Sequence, residues 1–237
     1  MFSCGRVSSH VSDVTGSSAA RPTWAAWKTY VGRPEQEGVM TRAARRFALS
    51  VLGTGLYEAE RYEESLSVAE AELSMLRRLG ASERCMLAPQ SNLANTYQVL
   101  GRLEDALRMR QDVYSGYLKL YGEEHVSTLR ALSNYAMTLK NLNRHDEVKL
   151  LLRKSIRVAQ RILGGNHELT LKIRWAYAVA LCNDPSAKLD DHRESLEMLE
   201  DLERTARRVL GGAHPITKGI EGELREARAA LSAREMS

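Results

Sequence analysis

One phrase recurs along this chain of 237 residues and constrains its fold more than any other feature. It reads Leu-Tyr-Gly-Glu-Glu-His at 120–125, Leu-Gly-Gly-Asn-His at 163–167 and Leu-Gly-Gly-Ala-His at 210–214. A threonine follows each histidine three residues later. The first two histidines are 42 residues apart and the next interval is 47, so the last unit carries five extra residues. A fixed period of this size is typical of stacked supersecondary units.

Small residues share the same period and predict where helices cross. Ala94, Ala136 and Ala178 are spaced by 42 residues, and Gly53 lies 41 residues before Ala94. Two helices can cross closely only where their side chains are small. A second register lies 19 residues before each repeat histidine and identifies the partner helix; its members are Ala106, Val148 and Ser195. Each unit is therefore predicted to be a pair of antiparallel helices.

Glycine and proline positions set the predicted helix ends. Gly101 and Gly122 follow apolar helical segments and are suited to the left-handed conformation that ends a helix. The predicted pairs are 42–58 with 62–79, 84–100 with 104–121, 126–141 with 146–163 and 168–182 with 192–210. The five extra residues are placed in 183–191, where proline and Asx residues predict a surface loop.

The last predicted helix, 215–233, has no partner helix. Pro215 suits its first turn. Its apolar stripe consists of Ile216, Ile220, Leu224, Ala227 and Leu231. The opposite, solvated face is predicted to carry Lys218, Glu221, Glu223, Arg225 and Arg228. One buried face and one wet face are what a terminal cap on a helical stack requires.

Residues 1–39 differ from the repeats and are interpreted as a mostly disordered leader. Six serines among the first 18 residues, with Asp13 as the only acid before Glu35, resemble an organellar transit peptide. The other interpretation is that the assigned gene start truncates a longer scaffold protein. Within the leader, 23–31 predicts a short helix capped by Thr23 and stopped by Gly32, whose apolar stripe packs on the first repeat.

Charge and cysteine content narrow the possible partners and compartment. The 34 basic and 30 acidic residues give a formal charge of +4, and they alternate along helices as on a solvated face. No apolar run reaches the roughly 18 residues of a membrane span. Three distant cysteines without a C-x-x-C motif indicate reduced thiols. The expected location is the cytoplasm, with organellar targeting by residues 1–39 as the alternative.

The segment Ser91–Ala106 resembles a tetratricopeptide repeat, with Asn-Leu-Ala, then Tyr97, then Gly-Arg-x-x-Asp-Ala. The longer period and the Leu-Gly-x-x-His phrase resemble the subclass found in kinesin light chains. The resemblance covers about 42–233, and it implies an all-α, right-handed superhelical α-solenoid of antiparallel helix pairs, with four repeats and a capping helix. The sequence departs from the pattern at 141–148, which lacks the turn glycine, and at 79–86, which lacks histidine. Residues 1–39 also lack the heptads that would join a kinesin motor.

No catalytic constellation is recognisable, and neither a metal nor a cofactor is expected. His125, His167 and His214 sit on successive rungs about 10 Å apart, too far to share one zinc ion. They are interpreted as helix-start or packing residues. Gly53-Thr54-Gly55 lacks the remaining residues of a phosphate loop. The chain is therefore predicted to be a non-catalytic scaffold.

In tetratricopeptide repeat proteins, which this chain resembles, the first helices of successive pairs line a concave groove that binds peptides. Side-chain amides in the groove could form hydrogen bonds with a peptide backbone, and three cations would favour an acidic ligand. Aromatic rings would pack against an apolar side chain of the peptide. The predicted binding residues are Tyr57, Asn95, Gln98, Arg130, Met137, Lys140, Asn141, Lys172 and Trp175. The predicted partner is an acidic peptide with an apolar residue. Some of these side chains could instead face solvent, and Trp175 could pack between repeats.

Two other functions stay open at this point. The first is an organellar nucleic-acid-binding factor, although helical-repeat RNA readers use a shorter period. The second is a regulatory module of a larger kinesin-light-chain-like protein.

Overall fold

A computed structural model describes residues 42–235, and within that range the chain forms nine helices. They are α1 (Arg42–Glu58), α2 (Tyr62–Arg78), α3 (Glu83–Val99), α4 (Leu103–Tyr121), α5 (Val126–Asn141), α6 (His145–Leu163), α7 (Glu168–Cys182), α8 (Leu189–Leu210) and α9 (Pro215–Glu235). The predicted leader and its helix at 23–31 lie outside the described residues. From Ala48 onward the described residues form one compact unit.

The helices pack in sequence order, which confirms an all-α, tetratricopeptide-like solenoid of helix pairs. From α2 onward each helix packs on the next one. In addition α5 packs on α7, and α7 packs on α9. Helices α5, α7 and α9 are therefore neighbours on one face of the stack.

The small residues lie where the helices cross, as predicted. Ala94, Ala136 and Ala178 are completely buried, and so are the partner-helix residues Ala106, Val148 and Ser195. The Ser195 hydroxyl donates a hydrogen bond to the Ala178 carbonyl at 2.7 Å, and Ser65 does the same to Gly53 at 2.9 Å. The two registers found in the sequence are thus the two sides of one helix contact.

The turn inside each of the first three pairs uses one left-handed residue at the same repeat position. Gly101 has φ of 74°, and the residue 42 positions later is Asn143, with φ of 56°. Glu60 takes this position in the first pair with φ of 59°. Asparagine tolerates the left-handed region better than most residues. The turn at 141–148 therefore keeps its geometry without the glycine that the repeat pattern expects.

The repeat histidines cap helices. His125, His167 and His214 each accept a hydrogen bond at Nδ1 from the backbone N–H two residues on, at 3.1, 3.1 and 3.3 Å. This contact satisfies one of the free N–H groups at the start of α5, α7 and α9. In two of the three phrases the threonine also ties the helix start to the previous helix, since Thr128 donates to the Tyr117 carbonyl at 3.2 Å and Thr170 to the Ala159 carbonyl at 3.4 Å. The interpretation as helix-start residues is confirmed.

The insertion in the fourth pair is shorter and better anchored than the predicted surface loop at 183–191. Helix α8 begins at Leu189 rather than at 192, because the Asp191 carboxylate accepts from the backbone N–H of Lys188 at 2.7 Å and caps an earlier start. Asp184 is buried, pairs with Lys149 of α6, and accepts from the backbone N–H and the hydroxyl of Ser186. The loop is therefore part of the packed structure.

None of the helices between residues 42 and 235 combines the length and the apolar character that crossing a membrane would require.

Candidate peptide-binding groove

The nine predicted binding residues all lie on odd-numbered helices, and we call the side that they mark the groove face. Tyr57 is on α1, and Asn95 and Gln98 are on α3. Helix α5 carries Arg130, Met137, Lys140 and Asn141, and helix α7 carries Lys172 and Trp175. The structure brings Tyr57 together with Asn95, and Lys140 together with Trp175. Arg130 lies ten residues before Lys140 on the same helix, about 15 Å along its axis.

A cavity of about 200 Å³ opens between α1, α2 and α3. Tyr57, Asn95, Asn92 and Glu58 are among its lining residues. The Tyr57 ring packs edge-on against Tyr62, with ring centroids 5.4 Å apart, and this contact limits its rotation. The cavity is lined mainly by hydroxyl, amide and carboxyl groups, so it is suited to a polar group of a ligand rather than to an apolar anchor.

Asn95 is oriented by a buried arginine that the sequence analysis missed. Arg110 of α4 donates from Nη2 to Asn95 Oδ1 at 3.0 Å and from Nη1 to the Asn134 carbonyl at 2.7 Å. Burial lowers the pKa of Arg110 to about 10, so the guanidinium stays charged at neutral pH. Because the amide oxygen of Asn95 is used inward, its NH₂ group is the part left to bind a ligand.

Lys140 and Trp175 form the centre of the groove face together with the last helix. The Lys140 ammonium lies 5.3 Å from the Trp175 ring centroid, within cation–π distance. It also pairs with the Glu223 carboxylate of α9 at 2.9 Å. The side chains of Lys140 and Glu223 are each only 20% exposed. Glu223, predicted to lie on the solvated face of the cap, is thus turned toward the groove face, and that prediction was wrong.

The other predicted residues are less engaged. Lys172 pairs with Glu168 on its own helix at 2.7 Å and keeps 40% of its side chain exposed. Arg130 and Asn141 are exposed, and Met137 is half-buried. The Gln98 Oε1 is buried and accepts no hydrogen bond within the part of the chain that the structure describes. Positive charge along the groove face is therefore partly neutralised by acids of the chain itself.

Trp175 packs between repeats, an interpretation that the sequence left open. A Cβ placed on Gly219 of α9 would lie 2.4 Å from the Cη2 atom of the indole, so only glycine allows this approach. The indole Nε1 is buried and donates to no residue in the range 42–235. Gly219 and Glu223 are four residues apart and share one face of α9, but no local sequence pattern pairs that face with Trp175.

One cysteine and one histidine lie close together near the groove face. The Cys182 sulfur lies 3.4 Å from Nδ1 of the buried His192. Burial raises the pKa of the Cys182 thiol, which keeps it protonated and weakly nucleophilic. Across residues 42–235 no group of three or more histidine, cysteine or acidic side chains is arranged to hold a metal ion.

Residues 85–160, which cover most of α3, all of α4 and α5 and most of α6, match the family described as Tetratricopeptide repeat. This segment of the chain consists of tetratricopeptide repeats. The match begins in the first helix of the second repeat and ends in the second helix of the third. No curated protein matches the sequence significantly.

Solved structures extend the similarity of these tetratricopeptide repeats to most of the chain. A crystal structure of nearly identical TPR-like repeats assigned to a kinesin light chain of Podosopora anserina has a TM-score of 0.66 at 22% identity, covering 83% of this chain and 92% of that one. A single-substitution variant of the same repeats gives 0.67 at 21%, covering 83% and 91%. BtubC (BKLC) from P. vanneervenii gives 0.53 at 17%, covering 82% of each chain. At these identities the likeness establishes the fold.

Proposed function

We propose that this chain is a non-catalytic scaffold that binds an acidic peptide segment of another protein along the groove face. Tetratricopeptide repeats generally mediate protein–protein interactions, and this role is the general part of the proposal. The acidic character of the ligand and the residues that bind it are the specific part of the proposal. The observation that carries it is the pairing of a lysine ammonium with a tryptophan ring on neighbouring odd-numbered helices.

The residues of the groove face supply three kinds of contact that a peptide needs. The NH₂ group of Asn95, held in place by Arg110, would donate to a peptide carbonyl. Lys140, Lys172 and Arg130 would attract carboxylates, with Lys140 contributing most because it is the least exposed to screening by salt. The half-buried Trp175 indole would pack against an apolar side chain, since aromatic residues provide much of the energy of such contacts.

Neutralisation of the two groove lysines tests this function on the full-length chain. The probe is a fluorescein-labelled peptide of alternating leucine and glutamate, with a leucine–lysine peptide for comparison, measured by fluorescence anisotropy. We expect the wild-type chain to bind the acidic peptide more tightly, and Lys140→Gln with Lys172→Gln to weaken that binding by about tenfold, roughly 0.7 kcal/mol for each lost charge contact.

A control with the same charge change separates groove binding from general charge attraction. Arg153→Gln with Arg157→Gln removes two exposed cations from α6, an even-numbered helix. We expect this variant to bind like the wild type. Equal loss of binding in both double variants, or equal binding of the acidic and basic peptides, would contradict the proposed function.

A further inference from the structure

The ion pair between Lys140 and Glu223 connects two helices of the stack that are separated by a third helix. It joins α5 to α9 and so passes over α7, the helix that packs between them. Its two side chains are 83 residues apart in sequence and are largely screened from solvent. A pair in this position is less weakened by salt than an exposed one. It places a carboxylate of the chain on the lysine that is proposed to bind a ligand carboxylate.

Two features of α9 bring Glu223 to this position. Gly219 lies against the Trp175 indole, where any side chain would collide. Glu223 follows one helical turn later on the same face and therefore reaches the ammonium that lies over that indole. Lys140 thus receives a carboxylate from α9 and Trp175 receives a packing contact, and an acidic peptide with an apolar residue would make the same two kinds of contact there.

The rest of α9 is held firmly and independently of Glu223. Ile216, Ile220, Leu224 and Ala227 are buried in one apolar cluster with residues of α7 and α8. Losing that contact would expose four buried apolar side chains to water, whereas moving one carboxylate would expose almost no apolar area. An arriving ligand could therefore exchange with the Glu223 side chain while α9 stays in place.

We propose that Glu223 is an internal competitor for the Lys140–Trp175 subsite, and that an acidic partner binds there by displacing its carboxylate. This inference rests on the proposed function, since it concerns the same lysine. It assigns α9 a role beyond capping the stack: the helix sets the threshold affinity that a partner must exceed. A partner with several carboxylates in sequence would meet that threshold, whereas one carboxylate would exchange with Glu223 at little gain.

The test is Glu223→Gln in the full-length chain, with the leucine–glutamate peptide and the same anisotropy measurement. Glutamine keeps the size of the side chain and removes the charge, so we expect the dissociation constant to fall by about fivefold, the value of one partly exposed ion pair. Glu221→Gln is the matched control. Glu221 lies on the same helix as Glu223 but pairs with Arg207 of α8 at 2.6 Å, and its loss changes the net charge by the same amount.

The outcomes separate the two proposals. Tighter binding by Glu223→Gln but not by Glu221→Gln supports competition by Glu223. Equal tightening in both variants means a general charge effect and overturns it. If Lys140→Gln weakens binding while Glu223→Gln leaves it unchanged, the proposed function stands and the competition is wrong. If neither the wild type nor Glu223→Gln binds the acidic peptide, both proposals fall. Circular dichroism of each variant establishes that the helices are intact.

Discussion

Arg110 shows at the residue scale how a buried charge can serve a binding surface. Its guanidinium links three helices, since it lies on α4 and donates to Asn95 on α3 and to Asn134 and Thr138 on α5. Burying an arginine is costly unless its donors are satisfied. Here that cost is offset in part by three acceptors, two of which belong to a neighbouring repeat, while the buried Nε–H of Arg110 donates to no described residue. The same contacts fix the register of the repeats and the orientation of the Asn95 amide.

Arg110→Lys should therefore destabilise the chain although it keeps the charge. A single ammonium cannot span three acceptors that a planar fork reaches together, so we expect a loss of about 2 kcal/mol in the free energy of unfolding. Urea denaturation followed by circular dichroism measures it. Arg108→Lys is the control, because Arg108 is exposed and pairs with Asp105 within one helix. A midpoint for Arg110→Lys equal to that of the control would contradict this reading of the network.

The contrast between His125 and Glu223 shows which residues the sequence could place. His125 belongs to a phrase that recurs, so its role at a helix start could be inferred from position alone, and its capping contact confirmed it. Glu223 belongs to no repeated phrase, and the sequence analysis placed it on the solvated face of α9, opposite the apolar stripe. Whether such an edge residue is covered depends on how closely α5 and α9 approach across α7. That distance is set by Gly219 and Trp175, which no local pattern reports.

At the element scale, α9 is positioned by one close contact and stabilised by an apolar stripe. The stripe followed from the sequence, since its spacing is that of a helix with one buried side. The close contact did not, because glycine within a helix ordinarily signals only lower helix propensity. The two glycines of α9 separate these effects: Gly219 touches Trp175, whereas a Cβ on Gly222 would meet no atom within 4 Å.

Gly219→Ala and Gly222→Ala should therefore change stability in opposite directions. Both gain up to about 1 kcal/mol of helix propensity. Only Gly219→Ala forces a methyl group into a rigid indole, which costs about 1–3 kcal/mol and should lower the melting temperature. Gly222→Ala should raise it. Differential scanning calorimetry measures both, and a rise for Gly219→Ala as large as that for Gly222→Ala would show that α9 does not rest on Trp175.

At the scale of the whole molecule, a stack of repeats is as stable as its contacts between neighbours. The junction of the third and fourth repeats contains several titratable groups. His145 is buried on α6 with its Nδ1 unbonded among the described residues. Asp184, Lys149, Asp146 and Lys140 act on it electrostatically. Asp184 is buried in the inserted loop and pairs with Lys149. The protonation of these groups therefore bears on a junction through which the fourth repeat is held.

This junction should make the folded chain acid-sensitive in two stages. Burial lowers the pKa of His145, so the unfolded chain takes up a proton more readily than the folded one, and stability falls as pH drops below about 6.5. The Lys149 ammonium and the Ser186 donors hold the pKa of Asp184 well below its usual range, so its contribution is present above about pH 4 and is lost below it. Melting temperatures measured from pH 8 to pH 3 should show both steps. His145→Gln should flatten the first step and leave the second, whereas Asp184→Asn should remove the second. If the first step is unchanged in His145→Gln, that step belongs to another group, such as His192, whose pKa is also lowered by burial.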